Sequence, residues 1–148
     1  MEESPVTTRR VLFVCAGNTC RSPMAAALAH HVLGDTVRAE SAGISADDGA
    51  SATKDAVRAM KERGLDISGH RSRSFQAVNV DGFDVLVALT PAIGDHLRRA
   101  GVEAAKIEAL NIPDPYNRGL DAYRTTAGAI ERDLTRLFGR PDEEPKRR

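Results

Sequence analysis

The sequence predicts a small doubly wound α/β domain, a four-stranded parallel sheet with helices on both faces. Three observations carry this reading. Strand-like and helical segments alternate along the chain, two of the strand segments are continuously apolar, and a glycine-containing loop joins the first strand to the first helix.

The run Val11-Leu12-Phe13-Val14 is short, apolar and rich in β-branched residues, as a central strand covered on both faces must be. It leads straight into CAGNTCRS at 15–22. Ser22-Pro23 then reads as a helix N-cap followed by proline at the first helical position, and Met24, Ala27, Leu28 and Val32 recur at helical spacing until Gly34. Thr36 to Ala42 reads as the second strand. A helix from about Thr53 carries Ala56, Val57 and Met60 as its apolar stripe and ends at Gly64. Asp84 to Leu89 is the second fully apolar strand, after which Thr90-Pro91 repeats the cap-then-proline signal; Ile93, Leu97 and Ala100 share a face and Gly101 closes the helix. The fourth strand spans Lys106 to Leu110. Beyond the loop NIPDPYNRG, the residues Leu120, Tyr123, Ala127, Ile130, Leu134 and Leu137 repeat in steps of three and four before Gly139 and Pro141 stop the last helix. Right-handed crossovers put helices on both faces of such a sheet, and ligands bind at the carboxyl ends of its strands. The loops after the first and fourth strands both emerge there.

With 148 residues the chain suits one domain, here 9–139, with flexible segments at 1–8 and in the polar tail 140–148. Balanced charge, 21 Lys+Arg against 21 Asp+Glu, removes the footprint of a general nucleic-acid binder. No apolar run approaches the roughly 18–20 residues that span a bilayer, so no membrane role is expected. The acidic start MEESPVTTRR lacks a secretory leader, which makes the cytoplasm the expected location and a monomer the default state. Two cysteines are too few for a disulfide scaffold, and no Cys/His cluster surrounds them to bind zinc.

That leaves thiol chemistry. Cys15 and Arg21 are separated by five residues, and Ser22 follows at a helix N-terminus. If the loop of Ala16, Gly17, Asn18, Thr19 and Cys20 wraps with its N–H groups inward, it forms an anion nest reinforced by the helix dipole and by a guanidinium fork. Such a site suits a dianionic phosphate, and its positive surroundings favour thiolate over thiol at Cys15. A cysteine ending a buried strand is most often a packing residue, and strand-to-helix loops often bind nucleotides. The segment lacks the G-x-x-x-x-G-K-[ST] pattern, however, and instead joins nucleophile, anion clamp and turn residues in the order one reaction requires.

The string VCAGNTCRSP resembles the signature of the low-molecular-weight protein-tyrosine phosphatase family, and the similarity extends over about residues 10–138, through Ser41-Ala42-Gly43, ISGHRSRS with His70, and Asp114-Pro115-Tyr116. The resemblance implies a flavodoxin-like fold and a metal-independent phosphatase that needs no cofactor and acts on phosphorylated proteins. It implies Cys15 as nucleophile, Arg21 as phosphate clamp, Asp114 as general acid and Tyr116 as a wall for the substrate. It further implies that Asn18, Ser22, Ser41 and His70 form a hydrogen-bond network holding the loop. His30, His31 and His96 are expected on solvated helix surfaces.

Three departures from the family pattern stand out. Ala26 occupies the usual place of a glutamate. The segment ISADDGAS carries no aromatic residue where tyrosine-directed members usually have one. Thr19 stands where those members read G-N-I-C, and with the D-P-Y-x4-D-x-Y-x-x-T spacing from Asp114 to Thr126 it resembles the protein-arginine phosphatase branch. The sequence thus leans to phosphoarginine as substrate, with phosphotyrosine as the alternative and with Thr19 as a mere space-filler the plainer account of that residue. Arsenate reductases share this loop, but the thioredoxin-linked type needs further downstream thiols and no cysteine follows Cys20. Cys20 either packs or traps an oxidised Cys15 as a loop disulfide.

Overall fold

The structure is a computed structural model that describes residues 8–139. Strands β1 (Arg9–Cys15), β2 (Val37–Gly43), β3 (Val85–Ala88) and β4 (Ile107–Ala109) form one parallel sheet in the order β2-β1-β3-β4. Helices α1 (Arg21–Leu33), α2 (Lys54–Lys61) and α3 (Pro91–Arg99) provide the crossovers, and α4 (Leu120–Phe138) follows the last strand.

The alternation of side chains along the strands divides the core in two. Val11, Phe13, Cys15, Val85 and Val87 point to one face, where Met24 and Leu28 of α1, Ala56 and Met60 of α2, and Tyr123, Ile130 and Leu134 of α4 cover them. Leu12, Val14, Leu86 and Ala88 point to the other, under Ile93 and Leu97 of α3 and beside Phe75 and Phe83. Both faces of β1 are therefore sealed from Val11 onward, which is why Val11 to Cys15 is apolar without interruption. Truncating its fully buried Phe13 to alanine removes packing worth about 3–5 kcal/mol.

The observed elements keep the expected order and differ at their ends. Helix α1 begins at Arg21, two residues earlier than its sequence suggests, and its N-cap is Cys20 without a side-chain cap bond. Ser22 is not the cap because its hydroxyl is engaged elsewhere, as described below. Thr36 belongs to a short 3-10 turn, not to β2, and donates its hydroxyl to Leu33 O at 2.7 Å. Strands β3 and β4 are each a residue shorter at both ends than the apolar runs that announce them. Thr90 caps α3 as read, accepting from Ile93 N, and Thr53, the expected start of the second helix, is the N-cap of α2 and accepts from Ala56 N. His30 lies exposed on α1 as expected, and its Nε2 also accepts from Ala39 N at 3.0 Å, covering a backbone donor of edge strand β2. Thr8, placed by the sequence in a loose N-terminus, donates its hydroxyl to Asp35 O at 3.1 Å. The other residues expected to be flexible, 1–7 and 140–148, lie outside the described residues. Among the described residues, no helix is long and apolar enough to cross a membrane.

Candidate active site

Strand β1 delivers Cys15 to the carboxyl end of the sheet, and the chain turns back into α1 within five residues. The turn is possible because Asn18 adopts φ 59°, a left-handed conformation that asparagine tolerates better than most residues. Strand β2 supports it from the side: Ile44 N and Ser45 N donate to Cys15 O and Ala16 O at 3.0 and 2.9 Å. This approach is so close that a Cβ on Gly43 would lie 2.5 Å from Ala16 O, so only glycine fits there.

Asn18 is fully buried and spends its whole side chain on fixing the loop. Its Nδ2 donates to Ser22 Oγ at 2.8 Å and to Ser41 Oγ at 2.9 Å, and its Oδ1 accepts from Arg73 N at 2.9 Å. His70 Nε2 donates to Asn18 O at 2.7 Å, which sets the ring tautomer, since a carbonyl can only accept. Because Ser22 Oγ already accepts from Asn18, its proton is free for Cys15 Sγ at 2.9 Å. Asn18 N–H also points at that sulfur, at 3.3 Å. Two donors thus converge on Cys15, an arrangement that suits a negatively charged sulfur.

Arg21 is 8% exposed, with Nη1 donating to Ile112 O at 2.9 Å. This bond ties the guanidinium to the segment after β4. The same segment supplies Asp114, whose Oδ2 lies 3.9 Å from Arg21 Nη2 and whose Oδ1 accepts from Tyr116 N at 3.1 Å. Asp114 is therefore oriented by its own turn while its side chain stays 55% exposed. Together, Cys15 to Arg21, Asp114 and Tyr116 line a half-open cleft of about 280 Å³, with Ser45, Asp47 and Ala50 closing the side toward β2. Of the large apolar side chains, Tyr116 stands out as exposed at this rim. Among the described residues, no group of three His, Cys, Asp or Glu side chains is placed to hold a metal.

Every residue that the sequence assigns to the site falls on this cleft or directly behind it: Cys15 to Arg21, Asp114 and Tyr116 line it, and Ser22, Ser41 and His70 support the loop from behind. Three contributors are invisible in the local sequence pattern. Arg73 fixes Asn18 through its backbone N–H and Ser41 O through Nε at 3.1 Å, while its guanidinium meets Glu40 at 2.7 Å. Partial burial pushes the Glu40 carboxyl up, but hydrogen bonds from Arg10 and Arg73 outweigh this and hold it below its usual value. Thr53 and Tyr123 brace the rear of the loop. Thr53 N donates to Thr19 O at 3.0 Å, and Thr53 Oγ1 donates to the Tyr123 hydroxyl at 3.1 Å, which in turn lies 3.3 Å from Cys20 Sγ. Burial, then the contact with Cys20, drives the Tyr123 phenol upward, so it remains protonated. Tyr123 was legible only as a core position on α4; nothing in its spacing shows a polar partner 103 residues away. Both cysteines are free thiols. Ala26 lies away from Cys15, half-buried beside His30 and Ser41 in a second concavity.

The chain is similar to known proteins over most of its length. A family model described as low molecular weight phosphotyrosine protein phosphatase matches residues 10–147. The protein-arginine-phosphatase of Geobacillus stearothermophilus is 34% identical over 138 residues, which cover 86% of this chain and 93% of that protein. The glutaredoxin arsenate reductase of Synechocystis sp. is 29% identical over 132 residues, covering 89% and 98%. Among solved structures, a low molecular weight protein tyrosine phosphatase from T. tengcongensis superposes with a TM-score of 0.81 at 35% identity, covering 87% of this chain and 97% of that one.

Proposed function

Because the chain belongs to the low molecular weight phosphotyrosine protein phosphatase family, we propose that it hydrolyses phosphorylated protein side chains through a phosphocysteine on Cys15, with phosphoarginine as its preferred substrate. The observation that carries the mechanism is the convergence of Ser22 Oγ and Asn18 N–H on Cys15 Sγ, with Arg21 and Asp114 in the same cleft.

The cleft receives the phosphoryl group over the loop, where backbone N–H groups and the Arg21 fork balance its negative charge. The Cys15 thiolate attacks phosphorus. As the S–P bond forms, the bond from phosphorus to the leaving nitrogen or oxygen breaks, and Asp114 gives its proton to that departing atom. Asp114, now a carboxylate, takes a proton from a water molecule that attacks the phosphocysteine; the S–P bond breaks, inorganic phosphate leaves, and Cys15 returns as thiolate held by the Ser22 hydroxyl. The exposure of Asp114 lets it reach both the leaving group and water.

Two features support arginine over tyrosine. The wall formed by residues 44–53 presents no aromatic ring for a phenol to stack on, and Thr19 places a short hydroxyl-bearing side chain at the cleft. Phosphotyrosine is the second reading, favoured by the exposed Tyr116 at the rim. The two free cysteines fit a reducing compartment, and with it cytoplasmic phosphoproteins as substrates. The test compares the full chain on proteins carrying phosphoarginine, phosphotyrosine or phosphoserine, with EDTA present, and adds an arsenate-reduction assay with glutaredoxin. The proposal expects phosphoarginine to have the highest kcat/KM. Faster phosphotyrosine turnover, or arsenate reduction without phosphatase activity, would overturn it.

A further inference from the structure

The cleft around Cys15 holds one more carboxylate than the proposed chemistry uses. Asp47, on the segment between β2 and α2, lines it together with Cys15, Arg21 and Asp114. The backbone there is well tied: Asp47 O accepts from Ser72 Oγ, Gly49 N donates to Ser72 O at 2.8 Å, and Ala50 N donates to Ser72 Oγ at 2.9 Å. Ser72 itself is 3% exposed, so the segment is anchored to a buried residue. The neighbouring Asp48 has a structural task, its Oδ1 accepting from Ser74 N at 3.1 Å. The Asp47 carboxylate is exposed and, among the described residues, takes part in no hydrogen bond or ion pair.

The charges lining the cleft are therefore two carboxylates, one guanidinium and the nucleophilic thiol. For a dianionic phosphate on a neutral leaving group, a second unpaired carboxylate is a liability, because it repels the substrate without sharing in catalysis. For a substrate with positive charge just beyond the phosphorus, the same carboxylate is complementary and discriminates against neutral competitors. Phosphoarginine has this character: the nitrogens not bonded to phosphorus keep the delocalised charge and their N–H donors, while Asp114 is occupied with the bridging nitrogen.

We propose that Asp47 is a specificity-determining residue that selects substrates bearing a guanidinium beside the phosphoryl group. The inference rests on the phosphatase reading of the Cys15 cleft. An arginine next to a phosphotyrosine presents the same chemistry, so the test must separate the two sources.

Full-length wild type and Asp47→Asn are compared on a phosphoarginine peptide, on a neutral aryl phosphate, and on two phosphotyrosine peptides identical except for arginine or alanine beside the tyrosine. Each is measured at low and high ionic strength, with thermal melts confirming the fold. Asp47→Asn should lower kcat/KM on phosphoarginine about two- to fivefold, the scale of a solvent-exposed ion pair. It should raise aryl phosphate hydrolysis, and both effects should shrink near 1 M salt, where the Debye length is about 3 Å. Asp47→Glu should restore most of the preference. Equal changes on every substrate, or none, overturn the inference. A wild type inactive on phosphoarginine refutes phosphoarginine as the substrate instead. Asp47 then keeps its role only if Asp47→Asn narrows the preference for the arginine-flanked phosphotyrosine peptide, and an unchanged preference overturns that role too.

Discussion

Asn18 offers the most stringent test of how the loop is held. Asn18→Gly deletes three hydrogen bonds at once, those to Ser22 Oγ, Ser41 Oγ and Arg73 N at 2.8, 2.9 and 2.9 Å, while leaving the backbone free to keep φ 59°. At about 0.5–1.5 kcal/mol of net stability each, the three together amount to about 2–4 kcal/mol. That is a large share of a domain's total of about 5–15 kcal/mol, and for a chain of this size it lowers Tm by roughly 5–15 °C. Asn18→Ala adds the strain of a Cβ in left-handed backbone and should be less stable by about 1 kcal/mol more. The assay is urea unfolding of both variants beside wild type, followed by steady-state kinetics at a temperature where all three are folded. Without Asn18 the Ser22 hydroxyl loses its orientation toward Cys15, and kcat should fall at least about tenfold, the scale of one hydrogen bond to a charged group. An Asn18→Gly protein within about 0.5 kcal/mol of wild type and fully active would refute the claim that this network shapes the loop.

Four further outcomes are expected. Asp114→Ala should lose far more activity on phosphate esters with basic leaving groups than on activated aryl esters, because only the former need a proton in the transition state; a leaving-group series that falls equally removes Asp114 as the acid. Thr19→Ile should shift the phosphoarginine-to-phosphotyrosine ratio of kcat/KM toward tyrosine, by about 10–200-fold if this one pocket contact selects the substrate; an unchanged ratio leaves Thr19 as a space-filler. Tyr123→Phe removes the hydroxyl that braces Thr53 and Cys20 behind the loop, so the inhibition constant of inorganic phosphate should rise along with a modest drop in Tm, whereas a lower Tm with unchanged phosphate affinity confines Tyr123 to packing. Glu40 is held below its ordinary carboxyl value in the fold, so its pairing with Arg10 and Arg73 stabilises at pH above the unfolded value and is lost as pH falls through the folded one. Urea titrations should accordingly show Glu40→Gln less stable than wild type at neutral pH, with the gap closing as pH falls below the ordinary glutamate range; a gap that does not narrow in acid would contradict the linkage.

Much of this molecule is legible in its sequence because the information is local. The uninterrupted apolar run of β1 reports two covered faces, Thr53 and Thr90 announce helix starts they do cap, and the five-residue span from Cys15 to Arg21 is short enough to define a single loop. Long-range polar contacts are not written in this way. Ser22 has every local mark of an N-cap, yet its hydroxyl is claimed by Asn18 and Cys15, and the helix starts without it. Arg73 reaches Asn18 across 55 residues, and His30 caps a strand it precedes in the chain. The unpaired Asp47 is likewise invisible as a cleft residue until the segment after β2 is seen folded over the loop. Family resemblance supplied Ser41 and His70, whose roles no periodicity would have disclosed.

The central claim is that Cys15 carries the phosphoryl group between substrate and water. Rapid-quench mass spectrometry of Asp114→Ala with an activated aryl phosphate tests it most directly, since the first step needs no proton donor there while the second lacks its base. The account predicts that one phosphoryl group accumulates on the peptide containing Cys15 and is absent from the Cys15→Ser, Asp114→Ala double variant treated alike. Turnover without any protein-bound phosphoryl group, or a label on another residue, would contradict it.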